Sequence, residues 1–275
     1  MRRLLEIEYY KIRYHKASLR MLICYFILFP MLIFLSAIEV SFGSLTATLG
    51  ELNVLDFPLI WHFGTYTALY LKFLLILIIV TSVTGEYSHN TLKQNLIDGL
   101  SKKEFLMSKI SMTVVLSVLS VFISFISFLF IGWKNSPELD WSLVFSELDY
   151  FLGYFVRLLG FLMFGIFSAV LLRRSALALG FMVIWRIAEG FIGLILKKTL
   201  GAVGITIAGF LPFTSMNNVV SQPFQRIGFV KAVSSQLGQQ IDFMHGVHYI
   251  PMLQSLVWIV IFMLLSYKIL LSRDL

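Results

Sequence analysis

The residues of this chain that could do chemistry are few. Arg186 and Glu189 stand three positions apart inside an apolar run. A helix would carry both on one face, where they can pair. Lys72 and Arg157 interrupt two other apolar runs. An ionisable group at membrane depth is costly unless it faces protein or water. These four side chains therefore read either as a polar patch along a substrate path or as an internal clasp between helices. Asp242, His245 and His248 recur every three residues and could approach one another on a helix. A metal site needs three or four ligands in correct geometry, and a solvated surface segment accounts for these three more simply, so no metal site is assigned. The serines Ser111, Ser117, Ser120, Ser124 and Ser127 share one apolar run. No histidine lies at their depth, and they suit hydrogen bonds between helices or the lining of a groove. No His-Glu-x-x-His and no Gly-x-Ser-x-Gly occurs, and there is no Gly-x-x-x-x-Gly-Lys-Ser/Thr loop to cradle a nucleotide. Neither catalysis nor a cofactor bound by this chain is expected. If ATP supplies energy, it binds with Mg²⁺ on a separate chain.

The elements that position these residues are membrane helices. The chain has 275 residues, of which 58% are hydrophobic and 13% charged, against about 25% charged in soluble domains. The apolar residues come in runs of membrane-spanning length. A formal charge of +7 does not indicate nucleic acid, because most basic residues flank those runs. A lone cysteine, Cys24, excludes an intrachain disulfide. Six spans are predicted: Met21 to Ile38, containing Pro30; Leu59 to Thr84; Ile110 to Trp133; Tyr150 to Leu172; Ala176 to Leu196; and Tyr249 to Tyr267. Gly165 and Ala169 offer a small-residue packing step in the fourth. Residues 1–20 carry Arg2, Arg3, Lys11, Arg13, Lys16 and Arg20, with Leu5, Tyr9, Ile12 and Leu19 roughly on one face. That pattern fits a helix lying in the headgroup plane with basic residues toward anionic lipid. A positively charged cytoplasmic tail is the simpler alternative. Residues 199–248, broken by Pro212 and the cluster Thr214 to Asn218, read as an outer re-entrant and surface segment. Lys134, Lys197, Lys198, Arg226 and Lys231 fall outside in this layout, and the remaining Lys and Arg beyond the spans fall inside. Lys197-Lys198 break the pattern locally. The expected fold is one all-α polytopic domain over residues 1–275, with both termini cytoplasmic.

The longest polar stretch between two apolar runs is Gly85 to Lys109. Asn90 or Thr91 can cap a short helix with Leu92, Leu96 and Leu100 at helical spacing. Gly99 can take the left-handed conformation that ends it. Ser101 and Glu104 then have the spacing of a capping box before the next apolar run. The prediction is helix, glycine stop, new helix. An ordinary loop between membrane helices is the plain alternative.

Glu86, Thr91, Leu92, Leu96, Gly99, Ser101, the basic pair Lys102-Lys103, Glu104-Phe105 and Lys109 together resemble the first cytoplasmic loop of ABC-2-type transporter permeases. Phe210-Leu211-Pro212 followed by Asn217-Asn218 resembles the outer connection between the last two spans of that family. Lys102-Lys103 stand where the family often has Arg. The resemblance implies the ABC-2 (type V exporter-like) architecture, with an in-plane N-terminal helix and a coupling helix, within residues 85–105, that sits on a separate ABC ATPase. It implies a plasma (inner) membrane location and a second permease, identical or paralogous. The expected function is that of an exporter permease. A non-transporting membrane scaffold that recruits a partner through the same elbow, and an ion-driven carrier using Lys72, Arg186 and Glu189, are the alternatives.

Overall fold

A computed structural model of the protein describes residues 2–36, 40–42, 45–47, 54–136, 140–223 and 246–273. Among them, helices dominate: α1 (Arg2–Tyr14), α2 (Lys16–Ser36), α3 (Leu59–Ala68), α4 (Lys72–Ser88), α5 (Thr91–Ile97), α6 (Lys102–Asn135), α7 (Trp141–Val144), α8 (Asp149–Leu172), α9 (Ser175–Gly209), α10 (Pro212–Asn218) and α11 (Tyr249–Ser272). A two-stranded antiparallel hairpin, β1 (Val40–Phe42) and β2 (Leu45–Ala47), follows α2.

Among the described residues, five helical stretches are long and apolar enough to cross a membrane: Leu59–Ser88, Lys102–Asn135, Trp141–Leu172, Ser175–Gly209 and Tyr249–Ser272. The first expected span falls on α2, which holds Pro30 within its 21 residues. The bundle is built around α8, which packs against α4, α6, α9 and α11. Its side chains are buried almost all round, from Tyr150 to Val170. The small-residue step lies where α8 meets α4: a Cβ on Gly165 would touch Val80 at 3.6 Å and Ile76 at 3.8 Å. Close backbone approach of this kind substitutes for a hydrophobic driving force inside lipid. One polar clasp joins three helices. Tyr154 of α8 lies 2.7 Å from Ser120 of α6 and 3.0 Å from Tyr25 of α2, oxygen to oxygen, and all three are buried. Ser117 and Ser124 instead bond the carbonyls one turn back in α6.

The second span is interrupted. A 3₁₀ turn at Leu69–Leu71 separates α3 from α4 and places Lys72 at the start of α4. A tightened mid-helix turn of this kind often marks a hinge. The fifth helix continues past its expected end to Gly201, where φ is 57° and ψ −126°. There the chain folds back. A Cβ on Gly193 would lie 3.8 Å from that of Ala208, and one on Gly204 would strike the Leu196 carbonyl oxygen. Only glycines permit so tight a reversal. Residues 224–245, including Asp242 and His245 of the histidine-rich segment, lie outside the described residues. His248 is the N-cap of α11. No metal-type cluster occurs among the described residues.

Candidate functional site: the elbow and the cationic cavity

The polar stretch between α4 and α6 is a helical elbow. Asn90 turns the chain in the left-handed region (φ 54°) without capping through its side chain. α5 then runs for seven residues. Gly99 (φ 96°) stops it: its N–H donates to the Leu96 carbonyl, and the Leu100 N–H donates to that of Asn95. This pairing is the Schellman arrangement. Ser101 and Glu104 form the capping box, with Ser101 Oγ accepting from the Glu104 N–H and Glu104 Oε2 accepting from the Ser101 N–H. Leu92 is buried and Leu96 partly so, which fixes α5 on the bundle. His89, Asn90, Thr91, Lys93, Gln94, Ile97, Asp98, Gly99, Lys103 and Glu104 face outward. Ile97 is 76% exposed. Helical spacing did not single out this large apolar side chain on the polar elbow.

Glu86 is the knot of this region. It is 4% exposed. Its carboxylate accepts from Thr91 Oγ1 at 3.1 Å and Asn95 Nδ2 at 3.2 Å, both in α5. It also accepts from Lys109 Nζ of α6 at 3.1 Å and from Lys11 of α1. Lys109 reaches Glu8 of α1 at 2.8 Å and the Ser82 hydroxyl at 2.9 Å. Ser108 donates to Glu8 at 3.3 Å. Two acids and two bases therefore form a balanced cluster that binds α1, α4, α5 and α6 together. Burial opposes the charge on Lys11, but the Glu8 and Glu86 carboxylates outweigh it and raise the pKa of its ammonium.

Glu8 is a member of this cluster that no sequence motif marks. Its signal was local: in α1 the buried residues are Leu4, Glu8 and Ile12, four apart, so an acid lies on the apolar stripe. The face expected from Leu5 and Tyr9 is corrected accordingly. Tyr9 is exposed and its ring continues a run with those of Tyr10 and Tyr14. The glutamate on the inner face pairs with Lys11 one turn on and with Ser82 of α4 and Ser108 and Lys109 of α6, far along the chain.

Beside the elbow lies a cleft of about 440 Å³ lined by Tyr87, Ser88, Asn90, Lys93 and the α8–α9 turn at Arg173-Arg174. Arg173 lies over the Tyr87 ring at 5.4 Å. Lys102 donates to the Arg273 carbonyl at 2.8 Å, and Arg273 in turn donates to the Val170 and Leu171 carbonyls at the end of α8. The ends of α4, α8 and α11 thus gather at the elbow with α1 and the start of α6.

The intramembrane charges divide differently from expectation. Lys72, Arg157 and Arg186 line one cavity of about 1320 Å³. Glu189 does not, and no ion pair joins it to Arg186 among the described residues. It turns instead to the start of α10, accepting from the Phe213 N–H at 3.1 Å and from the Thr214 N–H, and from Trp185 Nε1 at 3.2 Å. The unpaired N–H groups and positive end of a helix N-terminus satisfy a buried carboxylate. The expected clasp between Arg186 and Glu189 is replaced by a clasp between α9 and α10.

The family profile described as ABC-2 family transporter protein matches residues 4–189. The chain belongs to the ABC-2 family. The match runs from α1 to Glu189 in α9, so this ABC-2 permease carries its elbow, its charge cluster and three cavity cations within the family's domain. It is a multi-pass membrane transport component, and membership implies an ABC ATPase as its partner. A comparison with curated proteins finds no match.

Proposed function

We propose that this ABC-2 permease is half of an ATP-driven exporter in the plasma membrane, and that the elbow at residues 85–105 is where a separate ATPase grips it. This reading adds α2 as a first span to the five long apolar helices, and has α1 in the headgroup plane and both termini cytoplasmic. The single observation that carries the reading is Glu86. The same carboxylate holds α5 and is held by α1 and α6, so a push on the elbow moves the ends of three other helices. α6 supports the geometry. Its 34 residues extend about 50 Å, against about 30 Å of hydrocarbon, so its first turns stand clear of the lipid where a soluble partner can reach them.

In this reading the ATPase pair holds ATP and Mg²⁺, and its closure displaces α5. The charge cluster carries the displacement into α4 and α6, and the 3₁₀ turn before Lys72 absorbs part of it. The cavity alternates its exposure while hydrolysis happens on the other chain. A second permease or lipid covers the apolar face of α9, where Ile184, Phe191, Leu194 and Ile195 are exposed.

Co-expression with an ABC ATPase tests the assignment. The two chains should co-purify, and Ile97→Asp should lose the ATPase while leaving the permease in the membrane. Transport of cargo by the permease without any ATPase would reject the reading in favour of an ion-driven carrier.

A further inference from the structure

Among the described residues, the charges of the cationic cavity are not balanced. The charges of the elbow cluster are matched, two against two, with Lys11 partly exposed and Glu8, Glu86 and Lys109 buried. In the cavity Lys72, Arg157 and Arg186 converge, and no carboxylate is among the described residues that line it. The nearby acid in α9, Glu189, is already committed to α10. Arg157 is 3% exposed, and its Nε has no hydrogen-bond partner. Its guanidinium lies 5.3 Å from the Tyr66 ring centre, and the Lys72 ammonium 3.6 Å from that of Phe161. Ring faces ease a cation's desolvation but do not neutralise it. Breaking or omitting one partner of a buried charge leaves a large penalty, and three like charges at membrane depth compound it.

Other features supply the remaining chemistry. Asn217, Asn218 and Gln222 offer amide donors, and Leu69, Val220, Val247 and Ile250 form apolar wall. Ligand pockets commonly run to about 1,000 Å³, so this cavity has room for more than a small inorganic anion.

Resting on the permease reading, we infer that the cavity binds an amphiphile with an anionic head, a phosphate or carboxylate, seated between Lys72, Arg157 and Arg186 with its apolar part along the aliphatic wall. A forked guanidinium with a free Nε edge is suited to two-point contact with such a head. The occupant comes either from the bilayer, as a resident lipid, or as the exported cargo.

The test uses the purified permease–ATPase complex in phosphatidylcholine nanodiscs. Binding of a fluorescent phosphatidic acid is compared with that of the matching diacylglycerol, which lacks the charged head. The wild type should prefer the phosphate form. Arg157→Gln and Lys72→Met should each weaken it about tenfold or more, the expected loss for one charged hydrogen bond. Arg186→Gln changes an exposed residue, so it tests the same point without disturbing packing. Equal binding of both probes, or unchanged affinity in all three variants, would overturn the proposal. Selective binding that also stimulates the ATPase supports it with cargo as the source; selective binding without stimulation supports it with a bilayer lipid as the source. The permease reading fails separately, by absence of a co-purifying ATPase, and the binding measurement can still be made on the permease alone.

Discussion

Lys109→Met perturbs the charge cluster at its most enclosed member. Lys109 is 1% exposed and contacts Glu8, Glu86 and Ser82. Removing it leaves two buried carboxylates facing each other, with only the partly exposed Lys11 between them. Removing one partner from a buried pair costs about 3–5 kcal/mol. On the scale of soluble domains of this size, where 1 kcal/mol shifts Tm by about 2–4 °C, that is a drop of roughly 6–20 °C. Lys11→Met is the internal control. Its side chain is 38% exposed, so its loss falls nearer the 0–1 kcal/mol of a surface pair. Glu8→Gln combined with Lys109→Met removes one charge of each sign and leaves Lys11 paired with Glu86. The double variant should therefore be more stable than the sum of its parts by about 1 kcal/mol or more. Thermal unfolding in mild detergent, followed by intrinsic fluorescence, measures the wild type, the single variants Lys109→Met, Lys11→Met and Glu8→Gln, and the double variant. Equal effects from the two lysines, or strict additivity in the double variant, would refute the argument that this cluster is a balanced unit.

Gly99→Val should act through the backbone alone, because no atom lies within 4 Å of the Cβ it would add. A left-handed conformation costs an L residue about 1–2 kcal/mol, so the elbow should tilt while Tm falls by no more than about 2–8 °C on the same scale. Transport and ATPase stimulation should both fall in vesicles; full activity would detach the elbow from coupling. Arg186→Ala and Glu189→Ala should add without rescue in thermal unfolding, since Glu189 caps α10. Recovery in the double variant would restore the direct ion pair.

The elbow was legible because its signals are local. Gly99 as a stop and Ser101 with Glu104 as a capping box depend on neighbours within a few residues, and the structure forms both. Lys72 and Arg157 were legible for another reason: a charge inside an apolar run is conspicuous wherever it points. What the sequence concealed is long-range pairing. Glu8 and Lys109 are 101 positions apart, and no spacing rule connects them. The fate of Glu189 was hidden for a similar reason. Helical periodicity offered Arg186 three residues away, while its partners lie 24 and 25 residues on, brought close by the reversal at Gly201. A re-entrant turn was expected within 199–248, but its position at Gly201 was not legible, since an apolar, glycine-rich run continues straight through it.

The central claim is that the tip of the elbow rests on an ATPase. A single cysteine at Ile97, in a Cys24→Ser background because the native thiol is exposed, can be crosslinked in membranes holding the co-expressed ATPase. The account predicts a permease–ATPase adduct whose yield changes when ATP is added. Labelling of that cysteine by a membrane-impermeant reagent from outside intact cells, with no adduct formed, would contradict it.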